Sequence, residues 1–192
     1  MVFKILASLG VVSAFTAFAV MSTTALFTDS QAVNGNTFTT GTVDISTVPT
    51  TALVTFSSMA PGDSITDDIV VTNAGSLQLR YAITSTATNT DAKGLKDQLT
   101  MVVKTIDVTT PATPCDNFDG TQLYSGDVDG TTGAIVGDTT AGSQAGDRTL
   151  AASASETLCF RVSLPSTSGD AFQNATTTAT FTFSAEQTAN NP

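Results

Sequence analysis

Apolar and polar positions alternate with a period of two in several stretches of the chain. Thr177–Ala185 reads TTATFTFSA, with Ala179, Phe181, Phe183 and Ala185 on one face and Thr178, Thr180, Thr182 and Ser184 on the other. Ala52, Val54 and Phe56 share one side of Ala52–Phe56, and Leu77, Leu79, Tyr81 and Ile83 share one side of Leu77–Ile83. Leu99–Val108 follows the same rule, as does Thr157–Leu164 with Leu158, Phe160, Val162 and Leu164 in phase. Successive side chains of a strand point to opposite faces, so each stretch predicts a strand with one buried face. Turn chemistry separates them. Pro61-Gly62-Asp63 joins a strand ending near Ser57 to one running from Ser64 to Thr72, and Asn73-Ala74-Gly75 closes the next connection. Lys93–Gln98 predicts a short helical turn, and Pro111–Asp147 predicts a loop-rich excursion with short strands at Thr121–Tyr124 and Ala134–Val136. Many short strands without a sustained helix predict an all-β fold, an antiparallel β-sandwich of the jelly-roll or immunoglobulin-like type.

The N-terminus follows a different pattern. Met1–Lys4 carries one positive charge, Ile5–Val20 is almost wholly apolar, and Thr23 and Ala25 are small residues at the −3 and −1 positions of a cut between Ala25 and Leu26. This is the layout of a secretory signal peptide over residues 1–25, helical before its removal. An uncleaved membrane anchor is the alternative, since Ile5–Leu26 is long enough to span hydrocarbon. Ser13, Thr16 and the Ser22-Thr23-Thr24 run favour cleavage. Contact with a membrane is then expected only through this segment before cleavage, and contact with signal peptidase during export.

Composition sharpens the picture. Threonine makes up about a fifth of the residues after Ala25, and β-branched residues suit a pleated, half-buried surface. Without Lys4 the chain has six basic against 17 acidic residues, a charge of −11. Nucleic-acid binding, which needs clustered Lys and Arg, is excluded. Export places Cys115 and Cys159 in an oxidising compartment, where a disulfide tying the Pro111–Asp147 excursion to the core is the natural reading and a pair of free buried thiols the alternative. The sequence contains no histidine, which removes the imidazole-dependent hydrolase constellations. Asp67 and Asp68 fall on opposite faces of one strand and cannot share a proton. Asp127-Val128-Asp129-Gly130 resembles the opening of a calcium loop, with Asp127 and Asp129 as ligands, but lacks the later oxygen ligands such a loop needs. No catalytic residue, no resident metal and no cofactor is expected.

Three blocks carry a resemblance. Ala25–Ser46 reads ALFTDSQAVNGNTFTTGTVDIS, with an aromatic-polar-acidic triplet at Phe27-Thr28-Asp29 and Phe38-Thr39-Thr40-Gly41-Thr42-Val43-Asp44 further on. Met59–Tyr81 contains a Pro-Gly-Asp turn and an Asn-x-Gly-Ser turn, and Phe181–Gln187 reads FTFSAEQ. Together they resemble the TasA and camelysin (CalY) family, secreted matrix proteins of bacilli exported through the signal peptidase SipW. Leu26 and the cysteine pair depart from the family pattern. The resemblance implies a jelly-roll subunit of extracellular fibres or pili in a biofilm matrix, polymerising with copies of itself by donor-strand exchange. Residues 26–41 would be the donor segment, with Phe27, Val33 and Phe38 as pocket-fillers, and residues 42–192 the sandwich. Two other readings remain open at this point: a non-polymerising membrane- or wall-associated surface binding module, and a camelysin-like metallopeptidase, against which the lack of histidine stands.

Overall fold

The computed structural model describes Gln31, Gly35 and residues 37–51, 58–130 and 133–191. The chain divides into two units, Met1–Thr39 and Thr40–Pro192. The described residues of the first are irregular and exposed. The expected signal segment, the cut between Ala25 and Leu26, the side chains of Phe27 and Val33, and the strand expected at Ala52–Phe56 lie outside the described residues.

The second unit is a two-sheet antiparallel β-sandwich, as the alternation predicts. Its larger sheet has the order β1-β2-β8-β4-β5, with β1 at Ile45–Val48, β2 at Ser64–Asn73, β4 at Thr100–Thr105, β5 at Gln122–Asp127 and β8 at Ser155–Ser163. The smaller is built around β3, Leu79–Ala87. β9, Ala179–Gln187, runs along one side of β3 for its whole length. The short strands β6, Ala134–Val136, and β7, Arg148–Leu150, follow one another along the other side. A single helical turn, α1, spans Leu95–Gln98.

The core lies where the inward phases of the two sheets meet. Val71, Leu79, Ile83, Met101, Val103, Leu158 and Phe160 are fully buried, and Ile69, Tyr81, Ile135 and Val136 nearly so. The Phe160 ring reaches from β8 across to Phe181 of β9 at 5.3 Å between centroids, and Tyr81 meets Phe183 at 6.2 Å. Offset aromatic pairs of this kind add to the burial of their large apolar surfaces. β8 is central because it is paired on both sides, with β2 from Ser155 to Ser163 and with β4 from Leu158 to Ser163.

Two strand ends differ from the alternation. β4 stops at Thr105, not Val108, and the reason is a carboxylate. Asp107 is 1% exposed and must be satisfied by turning the chain back on itself. Its oxygens accept from the amides of Asn117 (2.8 Å) and Asp119 (3.3 Å) and from the hydroxyl of Thr110 (3.2 Å). Val108 is left 65% exposed. At its N-terminal end β3 starts at Leu79, because Leu77 is taken up by the connection described next.

Candidate functional site

The stretch that leads into the sandwich docks on a turn. The amide of Thr42 donates to the Ser76 hydroxyl at 3.0 Å, and the Ser76 amide donates to the Thr42 hydroxyl and carbonyl at 3.2 and 3.1 Å. The amides of Leu77 and Ala74 donate to the carbonyls of Thr42 (3.1 Å) and Asp44 (2.8 Å). From Ile45 the backbone continues as β1, paired with β2 over four residues from Ile45↔Asn73 to Val48↔Val70. Thus the Gly-Thr-x-Asp and Asn-x-Gly-Ser segments, separate in the sequence, form one contact. Glycine is required at position 75, where backbone closes over it, while Gly41 leaves the space that the Leu77 side chain fills. A Cβ on Gly75 would lie 2.4 Å from the Thr42 carbonyl oxygen, and one on Gly41 would lie 2.5 Å from the Leu77 side chain.

Asn73 supports this turn from beneath. It is fully buried, and its side-chain amide donates to the carbonyls of Leu77 (2.8 Å), Ala151 (3.0 Å) and Leu150 (3.2 Å) while its oxygen accepts from the Gly75 amide (2.9 Å). One side chain therefore satisfies three carbonyls and one amide that burial would otherwise penalise. It also ties the larger sheet to the strand β7 of the smaller one.

At the C-terminal end, β9 pairs with β3 alone among the described residues. Its second backbone edge is nine residues long, and its inward residues Phe181 and Phe183 pack on the core while remaining half-buried. An edge of this length, with apolar side chains incompletely covered, is a template for one more strand. Arg80 of β3 fastens the end of β9. Its guanidinium sits 2.6 Å from Glu186 and also reaches the Asn191 carbonyl. The Arg80 hydrogen bond holds the Glu186 carboxyl below its ordinary value.

The outer face of the larger sheet carries a different device. Cys115 and Cys159 are joined by a disulfide, and with Phe118 they form a small apolar cluster against Val102. The Phe118 ring lies 3.9 Å from the Arg161 guanidinium and 4.8 Å from the Lys104 ammonium, both positions suited to cation–π attraction. The excursion that the sequence marks as loop-rich is therefore well fastened at its start.

Of the remaining candidate residues, Asp129 is engaged by a lysine. Asp129 faces Lys96, whose ammonium lies 2.7 Å from Asp97 and 2.9 Å from Asp129. Hydrogen bonds to Asp97 and then Asp129 push the Lys96 pKa up. The Asp127 carbonyl accepts from the Tyr124 hydroxyl and from the Gly130 amide. Asp67 and Asp68 pair with Phe160 and Cys159, on opposite faces as alternation requires. Between the sheets, Tyr81 donates to Glu156 at 2.7 Å and Arg148 pairs with the same carboxylate. Burial first, and the Glu156 bond second, hold the Tyr81 phenol protonated far above its ordinary range. Among the described residues no group of three or more His, Cys, Asp or Glu side chains is placed to hold a metal ion. No described helix is long and apolar enough to cross a membrane.

Sequence reasoning found β9 and its inward phase, the cysteine pair and both halves of the Thr42–Ser76 contact, but not that these halves meet. It placed Asn73 in a turn without its buried role, and it missed Asp107, whose partners lie ten and twelve residues further on. Of the three expected pocket-fillers only Phe38 is described, and it is 94% exposed.

The sequence model of the family described as camelysin metallo-endopeptidase matches residues 2–191. The chain belongs to this family, which includes the TasA and CalY proteins whose blocks it resembles. No curated protein matches it. The donor set does not fit the zinc that the family's description implies. There is no histidine in the chain, and the two cysteines are bonded to each other. Catalytic zinc takes three protein ligands of the histidine, cysteine and carboxylate kinds plus a water, and among the described residues no three such side chains gather.

Proposed function

We propose that this camelysin-family chain is a secreted structural subunit of extracellular matrix fibres, assembling by donor-strand exchange and carrying no peptidase chemistry of its own. Family membership supports a secreted, matrix-associated role at the level of the family. The observation that carries the finer reading is the β9 edge: nine residues of backbone with one described neighbour, and Phe181 and Phe183 half-covered on its inner side. In the proposed assembly, residues 26–41 of one copy pair with the sheet edge of the next. Phe27, Val33 and Phe38 fill the space over the half-buried rings.

Magnitudes permit this. Burying three such side chains contributes about 1.5–3 kcal/mol each. New strand-to-strand hydrogen bonds add ~0.5–1.5 kcal/mol each, against an association cost of ~4–15 kcal/mol. The exposure of Phe38 fits a side chain whose partner is another molecule. Strong negative charge keeps free subunits apart until this specific pairing brings them together. Electron microscopy of the secreted, untagged protein tests the proposal, beside a chain that begins at Gly41. Filaments are expected from the first and none from the second; filaments of equal yield from both would sink it.

A further inference from the structure

We infer that Thr42 and Ser76 are a lock that fixes the point at which the N-terminal segment leaves the sandwich, an inference that rests on the donor-strand reading above. A donor segment is useful only if its root stays in register. The strand that follows this root, β1, is weakly held for that task. It has four residues, it lies at the outer edge of the larger sheet, and it alternates between half-buried Ile45 and Thr47 and exposed Ser46 and Val48. A short edge strand with one partner frays and slips easily.

The reciprocal exchange between Thr42 and Ser76 counters this. Each residue donates its amide to the other's side-chain hydroxyl; the Ser76 amide is shared with the Thr42 carbonyl, which also accepts from the Leu77 amide. A slip by one residue in either direction breaks all of these at once. It would also bring the Cβ of Thr40 or Thr42 to the place of Gly41, against the Leu77 side chain. The platform itself cannot shift, because the buried Asn73 amide holds the turn to the carbonyls of Leu150 and Ala151. Beyond the lock, Thr37, Phe38, Thr39 and Thr40 are exposed, so the ordered contacts stop where the donor segment ends. Thr42 and Ser76 are thus positioning residues for assembly: they touch no neighbour's chain themselves, and they set which residues the segment has left to reach one.

The test uses the full mature chain. It compares the parent with a Thr42→Val/Ser76→Ala double variant, with Thr42→Ser, which keeps the hydroxyl, and with a chain beginning at Gly41. Melting temperature and the rate of filament formation at equal concentration are read for each. The double variant is expected to melt within about 3 °C of the parent, as solvent-exposed bonds allow, yet to form filaments roughly tenfold more slowly because the segment is no longer preorganised. Thr42→Ser is expected to assemble like the parent. If the double variant does not fold, Ser76→Ala alone, which keeps the bonds to the Thr42 carbonyl, carries the same comparison. Parent-like assembly by the variant, with the Gly41 chain remaining monomeric, overturns the lock and leaves strand exchange standing. Assembly by the Gly41 chain overturns strand exchange, and the lock with it.

Discussion

Two stretches lie against the larger sheet and are held in opposite ways. Residues 106–121 are fixed by a disulfide, by a buried carboxylate and by an aromatic ring between two cations. Residues 41–48 are fixed by hydrogen bonds open to water and by a four-residue edge strand. The first is fastened redundantly, so that losing one attachment leaves others in place. The second is fastened only enough to keep its register. The difference marks the loop as a fixed part of the sandwich; under the proposed strand exchange, the N-terminal junction is where the segment offered to another copy begins.

The strongest challenge to that contrast is removal of the bridge. Replacing both cysteines, Cys115→Ala with Cys159→Ala, frees a closure of 44 residues. It should lower unfolding free energy by about 4 kcal/mol in the chain-entropy account, read from denaturant titration. A loss below about 1 kcal/mol would show that the unfolded chain already keeps the two cysteines close without the bridge. Next in size is Asp107→Ala, which removes the buried acceptor of the Asn117 and Asp119 amides. A loss of about 2–3 kcal/mol is expected, with faster amide exchange confined to residues 106–121; exchange spreading to Thr42 and Ser76 would deny that the two stretches are independent.

Acid should separate the stretches more gently. The Thr109 hydroxyl, and after it the Val108 amide, hold the Asp119 carboxyl below its ordinary value of 3.8. A group depressed in the folded state contributes stability above its unfolded pKa and loses it as the pH falls through the folded one. The protection of the Val108 amide, its exchange rate relative to an unstructured amide at the same pH, should therefore fall as the pH drops below 3.8 and hold constant above it. The smallest effect belongs to Phe38→Ala. At 94% exposure it should change the stability of the unassembled chain by less than about 0.5 kcal/mol, while slowing filament formation. A large fall in monomer stability would place Phe38 in its own copy's fold.

Much of this architecture was legible in the chain. The inward phases of β3, β8 and β9 follow from alternation alone, because a strand with one buried face must show it. The helical turn at Leu95–Gln98 and the strand at Ala134–Val136 stood where local signals put them. The junction was legible only as two separate blocks, since periodicity says nothing of contacts 34 residues apart. Asp107 was illegible for a related reason: its partners lie ten and twelve residues further on, in a segment whose composition reads simply as loop. The early end of β4 followed from that one carboxylate.

The pairing of β9 with β3 bears on the order in which the fold forms. Arg80 meets Glu186 across 106 residues of chain, so the central strand of the smaller sheet waits for its long partner until almost the last residue is available. Contacts so distant in sequence form late, after the cost of closing the intervening loop has been met. Until β9 is in place the aromatic side of the core, where Phe181 and Phe183 meet Phe160 and Tyr81, therefore stays unfinished.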